Sequence, residues 1–246
     1  MSAYFDALAA LNRRSNIAVF APAPQQTLRI RSPVQRLAPG EMPVEYAKLR
    51  EKLMLAGNHR PLRTLVFAGC EGREGCTRVT REFAEALASS GLNMLLVDAD
   101  LRTSGLTASI AAGGPDLTEI VAERRTLPGV EWGSGRLAVI PSPASHQDKE
   151  RFFRAPEFAA WLEDQRQRHD YILLDAPPLL RHAEGVLVSR LCDGVVIVVE
   201  AEATRRESLV RAREQLERAE ANIVGVVLNR ARDHVPVFLR SYLSTE

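Results

Sequence analysis

The stretch FAGCEGREGCTRVT, residues 67–80, has the layout of a phosphate-binding loop between a strand and a helix. An apolar run precedes it, and three glycines follow at a spacing of three: Gly69, Gly72 and Gly75. In such loops backbone amides wrap the phosphates, a lysine reaches the β and γ oxygens, and a following hydroxyl holds magnesium. Thr77 offers that hydroxyl, but Cys76 stands where the lysine is expected. The stretch therefore predicts a P-loop frame that has lost its phosphate-binding charge.

Composition and charge limit the classes of protein that need to be considered. The chain has 246 residues with ordinary hydrophobic and charged fractions, enough for one large domain with a sizeable core. A net charge of +1 argues against nucleic acid as a partner of the whole molecule. Residues 1–60 hold nine Lys/Arg and four Asp/Glu, a charge of +5, which leaves −4 for the remainder. This basic segment is either a solvated tail or an arm that faces an acidic partner or an anionic membrane.

The three cysteines and the hydropathy pattern predict a cytoplasmic protein. An odd, sparse set of cysteines indicates neither a disulfide framework nor a metal site. We find no signal-peptide pattern and no apolar run long enough for a transmembrane segment. Cys70 and Cys76 flank the glycine loop, where they are either a redox pair or simply two small loop residues.

The pattern along the chain predicts a short N-terminal helix and a proline-rich linker within residues 1–43, followed by a kinase-type domain at 44–246. Short apolar runs alternate with helical patterns throughout the second part. The predicted strands are 65–68, 94–97, 137–141, 171–174, 194–199 and 223–228. The predicted helices are 45–55, 77–89, 116–124, 156–166, 182–191 and 205–219. This alternation is typical of a doubly wound α/β fold, with a mostly parallel sheet covered by helices on both faces.

Charged residues follow two of the predicted strands, at the sheet edge where ligands bind in such folds. The second strand ends in Asp98 and Asp100, with Arg102 two residues further on, and a later apolar strand ends in Asp175. Such carboxylates serve as a general base and as magnesium ligands in phosphoryl transfer. We therefore predict Asp98, Asp100 and Arg102 as catalytic residues, unless Arg102 only neutralises the acidic cluster. The predicted magnesium ligands are Thr77, Asp100 and Asp175.

Taken in order, these segments resemble those of the bacterial tyrosine kinases of the CpsD/CapB type, which are P-loop proteins related to MinD and ParA. The resemblance rests on LLVDADLR at 95–102, DYILLDAPP at 170–178 and GVVLN at 225–229, and it covers about residues 44–230. It implies ATP and Mg²⁺ as cofactors, with Asn229 near the adenine. It also implies a partner, an inner-membrane chain-length regulator that controls a polysaccharide of the capsule or holdfast kind.

The departures from the family pattern concentrate in the loop and in the regions that assemble the family's subunits. The family loop reads EGKST, whereas this chain has Cys76 for the lysine and Arg78 for the second hydroxyl. His182 replaces the aspartate that follows the Pro-Pro turn. Of the Glu, Arg and Arg that build the family's ring of subunits, only Arg50 matches, because Val44 and Ala47 fill the other positions. The terminal tyrosine cluster is reduced to Tyr242.

Three functions remain open from the sequence. The first is a degenerate kinase that binds ATP weakly or not at all and acts as a partner protein. The second is an active tyrosine kinase or ATPase in which Arg73 or Arg78 replaces the lysine. The third is a ParA/MinD-like positioning ATPase, which needs the missing lysine. The oligomeric state also stays open. The predicted nucleotide contacts are Gly72, Arg73, Gly75, Cys76, Thr77, Arg78 and Asn229.

Overall fold

A computed structural model describes residues 42–57, 61–110, 115–125, 130–132, 134–143 and 148–231. The predicted N-terminal helix, most of the proline-rich linker and Tyr242 lie outside these ranges, so those expectations stay predictions. No helix within the described ranges is both long and apolar enough to cross a bilayer.

Seven strands and eight helices make up the described part of the chain. The strands are β1 (Thr64–Gly69), β2 (Asn93–Asp98), β3 (Val130–Trp132), β4 (Gly135–Ile140), β5 (Tyr171–Ala176), β6 (Gly194–Glu200) and β7 (Ile223–Asn229). The helices are α1 (Val44–Ala56), α2 (Cys76–Ser89), α3 (Gly105–Ile110), α4 (Leu117–Ala122), α5 (Lys149–Arg154), α6 (Pro156–Arg166), α7 (Ala183–Ser189) and α8 (Arg206–Arg218).

The strands form one sheet in the order β3-β4-β2-β5-β1-β6-β7. Six strands run parallel, and β3 pairs antiparallel with β4 at one edge. Apolar side chains cover both faces of the sheet, because the helices that connect parallel strands pack against both faces. The doubly wound α/β prediction is confirmed.

Two hydrophobic layers hold the sheet between the helices. One layer contains Tyr46 of α1 and Phe83 of α2, which pack together at a ring distance of 5.8 Å. The other contains Phe158 and Trp161 of α6, at 5.7 Å. Each layer therefore joins sheet and helices through large buried side chains, which fixes where the strand ends lie.

The sequence patterns missed three short elements. Strand β3 has three residues, while α3 and α5 have six each, which is too short for periodicity to stand out. The predicted helix at 116–124 was too long, because Asp116 is the cap rather than the first turn. Its carboxylate accepts hydrogen bonds from the amides of Thr118 and Glu119, and the Asp116 amide donates to the Glu119 carboxylate.

Candidate functional site

The loop between β1 and α2 has the backbone conformation that its glycines make accessible. Gly72 and Gly75 have φ values of +104° and +78°, in the region where side chains are strained. A Cβ atom on Gly75 would lie 2.4 Å from Nδ2 of Asn229, so the close approach also excludes a side chain. Gly75 precedes α2, whose first residue is Cys76 and not Thr77. The predicted frame of the P-loop is therefore present.

Two contacts hold this loop in place. The Glu74 side chain, which is only 4% exposed, accepts hydrogen bonds from the amides of Glu71, Gly72 and Arg73. Asn229 Nδ2 donates to the Glu74 carbonyl oxygen over 2.8 Å. Asn229, predicted to lie near an adenine, is thus buried at the end of β7 and anchors the loop.

Cys76 carries a neutral thiol at the position of the missing lysine. Burial raises the pKa of this thiol well above its usual value, and the neighbouring Asp175 raises it further. The Cys76 sulfur lies 3.8 Å from Thr80 Oγ1, within hydrogen-bonding distance. Cys76 therefore brings no positive charge to the loop.

Asp175 lies at the end of β5 and is 2% exposed. Burial raises the pKa of its carboxyl group to about 7, a hydrogen bond from Thr77 opposes the rise, and the charge of Asp98 adds to it. Its Oδ1 atom has no hydrogen-bond partner among the described residues. Asp175 Oδ1 and the neighbouring Thr77 hydroxyl are both oxygen atoms, and Mg²⁺ prefers oxygen ligands. These two groups are therefore suitable donors for Mg²⁺.

Asp98 and Asp100 are both engaged in local hydrogen bonds. Asp98 Oδ2 accepts from the Thr107 amide at 2.8 Å and the Thr107 hydroxyl at 2.6 Å, which ties β2 to α3. Burial raises the pKa of Asp98. Asp100 Oδ1 accepts from the amides of Arg102 and Thr103, and its Oδ2 accepts from the Thr103 hydroxyl. Asp100 also lines the cleft beside the loop, where it is the better placed of the two to meet a ligand.

The structure does not bring Arg78 or Arg102 to the cleft. Arg78 Nε donates to Glu82 at 2.6 Å along α2. Arg102 donates from Nε and Nη2 to Oε1 of Glu184, at 3.1 and 2.7 Å. Both guanidinium groups are therefore paired with carboxylates away from the loop, although Arg78 Nη2 is buried without a hydrogen-bond partner among the described residues. Arg102 does neutralise an acidic side chain, although a different one from the aspartates beside it.

A cleft of about 300 Å³ opens at the loop, and most of the predicted contacts line it. Its lining includes these predicted residues: Gly72, Arg73, Gly75, Cys76, Thr77 and Asp100. Sequence reasoning missed Thr103 and Arg181, which also line it, and did not assign Glu74 a role. His182, the first residue of the helix predicted at 182–191, instead precedes α7 and lines the cleft as well. The sequence signal for Arg181 and His182 was the Pro-Pro turn after Asp175, because this turn directs the residues that follow it back toward the loop.

Two of the three predicted magnesium ligands line the cleft. Thr77 and Asp100 line it, whereas Asp175, whose carboxyl group lies next to Thr77, is not part of the cleft lining. The phosphates of ATP would meet the loop amides without the charge of a lysine, because position 76 is a cysteine.

Curated relatives of this chain are bacterial tyrosine kinases and exopolysaccharide proteins. The chain is 26% identical over 194 residues to the tyrosine-protein kinase CpsD of Streptococcus agalactiae, covering 77% of this chain and 84% of that protein. It is 30% identical over 190 residues to the succinoglycan biosynthesis transport protein ExoP of Rhizobium meliloti, covering 75% of this chain and 24% of that protein. No family model matches the chain.

Solved structures share the architecture. The kinase domain of the Escherichia coli tyrosine kinase ETK superposes with a TM-score of 0.69 at 23% identity, covering 78% of each chain. A ParA family ATPase from Chlorobium tepidum superposes with a TM-score of 0.54 at 26% identity, covering 69% of this chain and 74% of that one. The chain is therefore a homologue of the bacterial tyrosine kinases of the CpsD type, on a P-loop fold like that of ParA and MinD proteins.

Proposed function

We propose that this protein is a degenerate tyrosine-kinase homologue that serves exopolysaccharide synthesis or export as a cytoplasmic partner of a membrane chain-length regulator. The observation that carries the proposal is the neutral, partly buried thiol of Cys76 at the position where the P-loop pattern has a lysine. The relative named for succinoglycan biosynthesis transport supports the polysaccharide context.

The missing charge has a large expected effect on phosphoryl transfer. Such catalysis consists mostly of positioning and charge neutralisation. Removing one preorganised charge-stabilising group typically costs about 3–4 kcal/mol, or ~10²–10³ in rate. Cys76 cannot compensate, since burial and Asp175 keep its thiol protonated. Weak or absent ATP binding follows from this chemistry.

The exposed face of α1 is the surface that we assign to the regulator's cytoplasmic segment. Met54 and Leu55 are 63% and 72% exposed, and both line an open groove of about 380 Å³. The lining is mainly apolar, with Arg50 and Glu51 at its polar side. The family uses this helix to join subunits, and here Val44 and Ala47 replace two of its charges. An apolar contact with a partner is therefore more favourable here than the family's charged one.

An active enzyme is the second candidate function, because Arg73 lines the cleft. In that case an arginine would supply the charge that the lysine provides elsewhere, with Asp98 or Asp100 as base. Arg181 stands on the same cleft wall as a further cation. Single Arg73→Ala and Arg181→Ala variants would then lose ATP-dependent activity, whereas Arg78→Ala, which breaks only a pair with Glu82, would keep it.

Complementation of a deletion strain separates the two functions. A Thr77→Val variant removes the hydroxyl that would hold magnesium, and it should restore polysaccharide output as fully as the wild type if the protein acts without ATP. A Met54→Lys/Leu55→Lys variant should fold normally, fail to co-purify with the regulator and fail to restore output. Loss of function with Thr77→Val alone would favour the active enzyme instead.

A further inference from the structure

The Glu74 carboxylate lies against the first turn of the loop and makes three hydrogen bonds to it. Its Oε1 accepts from the Glu71 amide at 2.6 Å, and its Oε2 accepts from the amides of Gly72 and Arg73 at 2.7 and 2.8 Å. Successive backbone N–H groups that converge in this way form a nest for an anion. Hydrogen bonds to an ionised acceptor are about twice as strong as those between neutral groups. The loop thus carries its own anion.

The glycines of the loop are placed to accommodate this carboxylate. A Cβ atom on Gly69 would lie 2.5 Å from Glu74 Oε2, so only glycine leaves room for the side chain. Gly72 has a φ of +104°, which turns the chain so that the amides on either side of it face the same oxygen pair. Two of the three loop glycines therefore serve the contact with Glu74.

The main chain of Glu74 is fixed independently of its side chain. Its carbonyl oxygen accepts from Asn229 Nδ2 at 2.8 Å, and Asn229 is buried at the end of β7. Gly75 leaves the space that this amide group fills. One residue therefore connects the loop both to itself and to the sheet.

We infer that Glu74 is a positioning residue that builds the P-loop around an internal anion, so that the loop keeps its shape without a nucleotide. This inference deepens the proposed function, since it concerns the same loop. It accounts for a well-formed loop in a chain without the lysine: the loss of Lys removes a charge for the ligand but none of the contacts that shape the backbone. It also implies that a lysine at position 76 would find the loop already formed.

Amide hydrogen exchange of the nucleotide-free protein tests the inference directly. We expect the amides of residues 71–73 to be protected in the wild type and to exchange about 10- to 100-fold faster in Glu74→Gln. The glutamine keeps one acceptor but turns an NH₂ group toward the amides. Glu71→Gln is the matched control, because the Glu71 carboxylate accepts from the Ser208 hydroxyl and not from the loop amides. Protection there should stay as in the wild type.

Free exchange of these amides in the wild type, or unchanged protection in Glu74→Gln, would overturn the inference. If Glu74→Gln does not fold, Glu74→Asp replaces it. The shorter carboxylate keeps the charge but cannot span all three amides, so exchange should rise at one or two of them, and equal protection at all three would count against the inference.

A second arm measures nucleotide binding in a Cys76→Lys background. Adding Glu74→Gln should weaken Mg-ADP binding about tenfold, since the loop must then be ordered by the ligand. Tighter binding would show instead that Glu74 competes with phosphate. The exchange arm contains no nucleotide, so a wild type that binds ATP would refute the proposed function and leave this inference standing.

Discussion

Cys76 and Asp175 lie next to each other where the P-loop pattern has a lysine. A lysine ammonium would offset the buried aspartate, and without it the chain places a neutral thiol against a carboxyl group whose pKa is raised to about 7. Burial is the main cause of both raised pKa values. Asp175 is therefore accommodated in the protein interior by binding a proton, and not by pairing with a cation.

The raised pKa of Asp175 predicts a pH dependence of stability. In the unfolded chain the pKa returns to its ordinary 3.8, so between about pH 4 and pH 7 the folded state holds a proton that the unfolded state has lost. Stability must therefore fall as pH rises through this window, by up to about 1.4 kcal/mol per pH unit from this group. Asp175→Asn should remove this slope. Urea unfolding of both proteins at several pH values tests it, and equal slopes would contradict it.

Gly75→Ala should destabilise the protein by about 2–3 kcal/mol. The φ of +78° strains any side chain, and the new Cβ would lie 2.4 Å from Asn229 Nδ2, forcing that amide off the Glu74 carbonyl. Gly105→Ala is the control, because its nearest contact would be an ordinary 3.5 Å to Thr77 Oγ1. Thermal unfolding measures both, and equal effects would show that the loop is not held by this contact.

At the scale of helices and strands, α1 buries one face in the core of the domain and exposes the other. Leu49 is fully buried under the helix, whereas Met54 is mostly exposed. Leu49→Ala should cost about 2–5 kcal/mol of stability, and Met54→Ala should change it by less than about 0.5. Chemical denaturation compares the two, and a large loss in Met54→Ala would mean that its face packs within the same chain.

The strand and helix patterns could be predicted wherever four or more apolar residues ran together. Strands β1 and β5 were found from such runs. The bounds of β1 shifted by one residue at each end, and only the last residue of β5 shifted, by two. Strand β3 could not be found in this way, since it has three residues and depends on pairing with β4. The role of Glu74 was also out of reach, because a carboxylate that binds amides one to three residues earlier leaves no periodic signal.

At the scale of the whole molecule, the sheet order brings the ends of β1, β2 and β5 together, which is why residues far apart in sequence share one cleft. The residue types at strand ends predicted this meeting, since parallel strands end at a common edge. The directions of Arg78 and Arg102 were not predictable, because each depends on a carboxylate that tertiary packing places nearby. The chain thus has the sheet of a P-loop fold, and the proposed function is that its loop without a lysine binds nucleotide weakly or not at all.

Titration calorimetry with Mg-ADP on the wild type and on Cys76→Lys tests the central claim most directly. We expect no measurable heat from the wild type or from a Cys76→Ser control, and micromolar binding by Cys76→Lys, because the lysine restores the one charge that the loop lacks. Micromolar binding by the wild type and by Cys76→Ser would contradict the account, since the lost lysine would then not decide whether the nucleotide binds.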